Sequence, residues 1–237
     1  MTRFVLFALA ILASTAHSQS AVPDPDARRL RFGTDSLEVY LVRHGQRQRT
    51  GLITDRLDTV RVKGELRLRR VYRTMDSVLG DGIDTLVDRF PDLQPRSVSS
   101  TSKLGGSERT TWTAGRVAGT VALPNHVSHA IDTTISPGTF SGSTFDLVLR
   151  SSPLATGYAV DVPSFSGRQG VATLTAKVTA EEALPGSGRA WRVEANFAGL
   201  PVTFWIDQTS RRLLQQSMTV GPGVEVVFVA MRDSSTR

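Results

Sequence analysis

The sequence predicts a mainly β fold, α+β-like in character, in which a large antiparallel sheet dominates and helix is scarce. Three observations predict it. From Ser36 onward apolar and polar residues alternate over short runs, turn residues punctuate the chain about every ten residues, and a single segment carries helical spacing. Strands spaced this way build a sandwich, a barrel or a large antiparallel sheet. They do not build βαβ units, which need an amphipathic helix between successive strands.

The elements follow in order. Residues 21–35 open with two prolines and several charges and read as a loose lead-in, and residues 36–232 read as a single β-rich domain. Leu66 and Leu68 alternate with Glu65, Arg67 and Arg69, Gly80-Asp-Gly turns the chain towards IDTLVD, and KLGGSER suits a hairpin tip. Ser143 is a reasonable helix N-cap with Asp146 three residues on, the spacing of a capping box; Phe145, Val148 and Leu149 then share one stripe, and Pro153 ends the run. In VATLTAKVTA, Ala172, Leu174, Ala176 and Val178 form one face. Trp191, Val193, Ala195 and Phe197 form a face of the next strand, and Val202, Phe204 and Ile206 of the one after. Gly221-Pro-Gly reverses the chain into VEVVFVAM, which completes a meander.

The chain opens MTRFVLFALAILASTAHSQS, a cation followed by a short apolar run and then small residues at an A-x-A-like spacing. That order is the pattern of a secretory signal peptide over residues 1–20, and the apolar run is too short to span a bilayer. The expected address is therefore periplasmic or secreted, with no transmembrane segment once the signal is removed. There is no cysteine, which excludes a disulfide framework and a diacylglyceryl anchor. Stability must come from an ordinary core, and chains of this size bury roughly 70% of their unfolded surface.

The net charge is +6. Between Arg28 and Arg73 twelve arginines and Lys63 stand against five acids, Asp35, Glu38, Asp55, Asp58 and Glu65. The expectation is a solvated outer sheet face, with attraction to an anionic envelope component as the functional alternative. Aromatic residues are not interleaved among these arginines, and no nucleic-acid partner is expected.

One short stretch suggests chemistry. Leu41-Val-Arg-His-Gly45 is similar to the opening of the histidine phosphatases, in which the histidine attacks phosphate and arginines clamp the oxyanion. That resemblance would make His44 the nucleophile, Arg43 and Arg109 the clamp, and His126 or His129 the second histidine. The surrounding sequence opposes it, because that family is a doubly wound α/β fold and no long amphipathic helix follows His44. A surface histidine beside a turn glycine at the first hairpin is the plainer account. There is no Gly-x-Ser-x-Gly elbow, no His-Glu-x-x-His pair and no phosphate-binding loop. Asp81, Asp84 and Asp88 lack the spacing of a calcium loop. Neither an enzyme nor a cofactor or metal protein is expected.

A broader resemblance covers Leu37 to Val229. Tyr40 in an early strand, Asp84-Thr-Leu with Pro91-Asp-Leu-x-Pro95, FDLVLRSSPLATGY, the hairpin FWIDQTSRRLLQQ and the strand after Gly221-Pro-Gly resemble a family of exported bacterial domains of unknown function. The resemblance implies a fold similar to the lipoprotein carriers LolA and LolB: a curved antiparallel sheet, or half-barrel, partly closed by short helices over an apolar concavity. It carries no catalytic residues. It implies a carrier or sensor of an apolar, lipid-like ligand, with Phe145, Leu149, Trp191 and Phe204 as the candidate lining; core packing is the competing role for each. The alternative is a structural or interaction protein of the envelope that uses its basic sheet face. On either account His44→Ala is expected to leave folding and phosphate-ester hydrolysis unchanged, and a hydrolytic activity lost specifically in that variant would reinstate the phosphatase reading.

Overall fold

The computed structural model describes residues 21–124, 127–185, 188–197 and 199–232. The signal-peptide segment 1–20 and His126 lie outside the described residues. Eight strands come first, β1 (Gly33–Arg43), β2 (Gln46–Val62), β3 (Glu65–Asp76), β4 (Gly82–Arg89), β5 (Pro95–Ser102), β6 (Gly106–Thr113), β7 (Arg116–Ala122) and β8 (Ser128–Thr134). A two-residue strand β9 (Phe140–Ser141) and the helix α1 (Phe145–Ser151) follow. The chain then forms β10 (Ala159–Ser166), β11 (Gly170–Ala183), β12 (Arg189–Phe197), β13 (Leu200–Asp207), β14 (Leu213–Gly221) and β15 (Val224–Ala230).

All fifteen strands belong to one curved sheet that does not close, in the order β8-β7-β6-β5-β4-β3-β2-β1-β15-β14-β13-β12-β11-β10-β9. Two meanders, β1–β8 and β10–β15, are thus joined by the antiparallel pairing of the first strand with the last, Leu37 opposite Ala230 through Arg43 opposite Val224. The expected alternation holds. Leu174, Ala176 and Val178 are buried on β11, Trp191 and Val193 on β12, and Val202, Phe204 and Ile206 on β13. These residues, with Leu37, Val39, Ile53, Leu57 and Leu68 from the first meander, form the main core around α1.

A second core closes the far half of the curve. Leu86, Val98, Trp112, Val117, Val121, Ile131 and Ile135 meet Phe165 of β10, whose ring lies edge-on to Trp112 at 5.7 Å. Beside it the Gly167 N–H donates to a Glu108 carboxylate oxygen at 3.2 Å, so the β10–β11 tip is fastened to β6. The sheet therefore bends far enough for distant strands to touch through side chains without exchanging ladder hydrogen bonds.

Helix α1 departs from expectation at its start. Ser143 is not its N-cap: residues Gly142–Thr144 form a 3-10 turn capped by the Ser141 hydroxyl, and Thr144 precedes α1 without a capping side chain. Asp146 does not reach back to the backbone because Arg70 of β3 takes its carboxylate at 2.7 Å, a charge-assisted bond stronger than a cap. The C-terminal carbonyls are satisfied by cations, Arg29 Nη1 to Ser151 O at 2.7 Å and Arg211 Nη1 to Ser152 O at 3.1 Å. Within residues 21–35, read as a loose lead-in, Ala27–Arg29 form a 3-10 turn, Ala27 and Leu30 are buried, and the Asp26 N–H donates to Ser151 O. These contacts seat that segment against α1.

Two glycines make the turns and bends possible. His44 and Gly45 both have positive φ, 48° and 79°, as a two-residue hairpin of the primed kind requires. Gly51 lies at the register shift between β1 and β2, where an added Cβ would overlap the Met75 carbonyl oxygen and come within 2.6 Å of Asp76 Cα. Gly51→Ala is therefore expected to destabilise the protein by about 1–3 kcal/mol, the usual cost of overpacking, as measured by urea unfolding.

Candidate functional site

The inner face of the sheet carries an unusual polar row. Antiparallel register places Asp35, Asp55, Tyr72 and Asp84 directly opposite one another across β1, β2, β3 and β4. One step along β3, Arg70 lies between Leu57 and Leu86, with 4% of its surface exposed. Its Nε and Nη2 donate to the two oxygens of Asp55 at 2.8 and 2.9 Å. Its Nη1 donates to Asp146 at 2.7 Å and to Ser143 O at 3.2 Å, and Nη2 reaches the second Asp146 oxygen at 3.1 Å. Five N–H donors thus meet five acceptors, the full capacity of a guanidinium. Arg150 of α1 completes the network 3.6 Å from Asp55 and 3.5 Å from Asp146, and its Nε donates to Arg211 O.

This arrangement corrects one expectation. Arg70 was expected with the other arginines on a solvated face, but its parity along β3 turns it inwards with Leu68 and Tyr72. Many of the remaining cations are paired at the surface: Arg49 with Glu38, Arg56 and Arg69 with Asp58, Arg67 with Glu65. Burial pushes the Asp146 carboxyl up, but attraction from Arg70 and Arg150 and the hydrogen bonds they donate outweigh it, so the carboxyl titrates below its usual range. Burial raises the Tyr72 hydroxyl, against the opposing influence of the Arg70 guanidinium, which lies 4.7 Å over the ring.

Beside the network the inner face opens into a two-chambered cleft. One chamber, about 190 Å³, is lined by Arg70, Tyr72, Asp84, Ser143, Asp146 and Gln216, with Leu86 and Leu213. The other, about 160 Å³, is lined mainly by Phe145, Phe197, Val202, Phe204 and Met218. Asp146 and Gln216 line both, so the chambers adjoin. The apolar lining is ordered: the Phe145 ring packs at 5.9 Å from Phe197 and 6.0 Å from Phe204. Gln216 is directly opposite Phe204, and Met218 opposite Val202, in the β13–β14 pairing.

Of the four lining candidates, the structure brings Phe145 and Phe204 together in the apolar chamber. Leu149 is fully buried in the core, and Trp191 lies beneath the Arg211 guanidinium at 4.4 Å; neither lines the cleft. Sequence reasoning missed Tyr72, Asp84 and Gln216. Their parity with the buried Leu68, Leu86 and Phe204-facing positions was a usable signal, since a polar side chain on an apolar stripe marks either a buried pair or a site.

The histidine-phosphatase residues do not converge. His44 is exposed at the β1–β2 turn, Arg109 is on β6 and His129 on the edge strand β8, with β2, β3, β4 and β5 between the turn and Arg109 in sheet order. Among the described residues no group of three or more His, Asp or Glu is arranged to hold a metal ion, and no helix is long and apolar enough to cross a membrane.

An open, curved antiparallel sheet wrapped about one short helix, with a cleft between helix and sheet, defines the molecule as a β half-barrel. Residues 39–229 match the family described as "Protein of unknown function (DUF3108)", and the chain belongs to that family. No curated protein matches it in sequence. Among solved structures it is similar to a β-barrel-like protein of the DUF1849 domain of unknown function from Brucella abortus, with 10% identity, 86% of this chain and 98% of that chain covered, and a TM-score of 0.47. It is also similar to a putative outer membrane lipoprotein-sorting protein domain from Vibrio parahaemolyticus, with 12% identity, 89% of each chain covered, and a TM-score of 0.26. At such distances the likeness extends to neither ligand nor activity.

Another buried acid lies outside the cleft lining and carries no ion pair among the described residues. Asp88, 1% exposed, has no hydrogen-bond partner among the described residues for either carboxyl oxygen, and burial, opposed by Arg70 and reinforced by Asp92, pushes its pKa up to about 8. The folded protein keeps this proton to about pH 8, whereas an unfolded aspartate releases it near pH 4. Asp88 thus makes stability fall as pH rises between those values, by roughly 1.4 kcal/mol per pH unit, and adds no further slope above them. Asp88→Asn is expected to flatten this decline and to be the more stable form at pH 8, as read by urea titrations from pH 4 to pH 9.

Proposed function

We propose that this protein is a non-enzymatic binding module of the cell envelope, which holds a lipid-like, amphiphilic ligand between α1 and the inner face of the sheet. The β-rich domain over residues 36–232 would carry it, delivered to the periplasm or outside by the signal peptide. The observation that carries the reading is the adjoining pair of chambers, one polar and one lined by three phenylalanines, Val202 and Met218. Small-molecule sites are concave and mostly apolar with a few convergent polar groups, and this cleft has that composition. The aromatic residues that line it pack on one another, so their surfaces are held in place before a ligand arrives. The basic-face alternative is less well supported, because several of the arginines it needs are neutralised by neighbouring acids.

The direct test is native mass spectrometry of the protein purified from its own envelope, where a bound lipid of defined mass is the expected result. Met218→Trp should fill the apolar chamber from a half-buried position. It is expected to weaken binding of an aliphatic fluorescent probe at least tenfold while leaving the circular dichroism spectrum unchanged. Undiminished probe binding in that variant would place the ligand elsewhere.

A further inference from the structure

The polar chamber has a chemical preference, and resting on the amphiphile reading we infer that it selects a neutral or cationic, hydrogen-bond-donating head, such as an amine or a polyol, and rejects an anionic one. An arginine in a pocket ordinarily suggests a carboxylate or phosphate ligand. Arg70 cannot serve that way here, because all five of its N–H donors are engaged by Asp55, Asp146 and Ser143 O. Arg150 faces the two aspartates and gives its Nε to Arg211 O; its Nη2 is buried with no hydrogen-bond partner among the described residues, but Arg150 is not part of the chamber lining.

The charges around the chamber do not cancel. Asp55, Asp84 and Asp146 stand against Arg70 and Arg150, and Asp84 has no cationic partner among the described residues. Asp84 lines the chamber, directly opposite Tyr72 on the neighbouring strand. Tyr72, Ser143 and Gln216 also line it, and among the described residues no hydrogen bond engages the Tyr72 hydroxyl, the Ser143 hydroxyl or the Gln216 side-chain amide. The unfilled capacity is thus a carboxylate that only accepts, together with two hydroxyls and an amide that can do either. A head that donates completes it. An anionic head would meet an uncompensated carboxylate at close range in a partly desolvated site, and such like-charge juxtaposition is how pockets exclude wrong ligands.

Octylamine, octyl glucoside and octanoate share one tail length and differ in the head, so calorimetric titration with each at pH 7 separates head from tail. Octylamine and octyl glucoside are expected to bind at least tenfold more tightly than octanoate. Asp84→Asn, at a partly exposed position, is expected to weaken octylamine about tenfold, strengthen octanoate, and leave octyl glucoside within about threefold. Octanoate binding as tightly as octylamine to the unmodified protein overturns the inference while the amphiphile reading stands. An unchanged ranking in Asp84→Asn overturns the role of that carboxylate and the inference with it. Failure of all three to bind overturns the amphiphile reading itself, and the head preference falls with it.

Discussion

The ion network of Arg70, Asp55, Asp146 and Arg150 is the constraint on which the rest of the interior depends. Seven residues of helix are too few to be stable alone, so α1 exists because tertiary contacts hold it. Its apolar residues bury against the core, but apolar contact alone does not fix how far the helix stands from the sheet. The bidentate geometry of Arg70 with Asp55 on one side and Asp146 on the other does fix it. Burying four charges is costly, and loss of any one would leave the others uncompensated at a cost of about 3–5 kcal/mol. The network therefore specifies a position more than it adds stability.

That position creates the cleft. With α1 anchored to β3 through Asp146, Phe145 at its start is set against Phe197 and Phe204, and space remains between helix and sheet on either side of Asp146. The polar chamber draws on β3 and β4 from the first meander and on β14 from the second, the apolar one on β12, β13 and β14. These strands come from opposite ends of the sequence and meet because β1 pairs with β15. A single long-range pairing thus joins a row of acids and tyrosine to a row of phenylalanine and methionine. Curvature then brings β10 back onto β6, so that the far half of the sheet has its own core.

Arg43-His44-Gly45 illustrates how one tripeptide can serve two kinds of chemistry. In a doubly wound fold such a histidine sits at the carboxyl end of a buried strand. Here His44 and Gly45 supply the two positive φ angles of a tight hairpin, and the side chain is exposed. The motif's letters are the same, but the tertiary setting that would collect a second arginine and histidine is absent among the described residues. Membership of a family of unknown function leaves the cleft as the feature from which a role is argued.

The sequence by itself determined the strands and turns, because those depend on local spacing. Alternation in 191–197 and 202–206 placed Trp191, Val193, Phe204 and Ile206 inward, and Gly80, Gly221 and Gly223 marked the reversals. Helical spacing likewise located Phe145–Ser151, with Pro153 beyond its end. What it did not determine were the partners of those elements. Whether Arg69 or Arg70 faces water depends on which side of β3 the core lies, and one residue of parity exchanges the two. Asp146 looked like a local cap and became a long-range ion-pair partner, because the opposing cation arrives from a strand 76 residues earlier. The cleft was illegible for the same reason: Phe145 and Phe204 were candidates, but Tyr72, Asp84 and Gln216 join them only through the pairings β3–β4 and β13–β14 and the pairing of β1 with β15. Local spacing records which face a residue takes, while only the assembled sheet decides what that face meets.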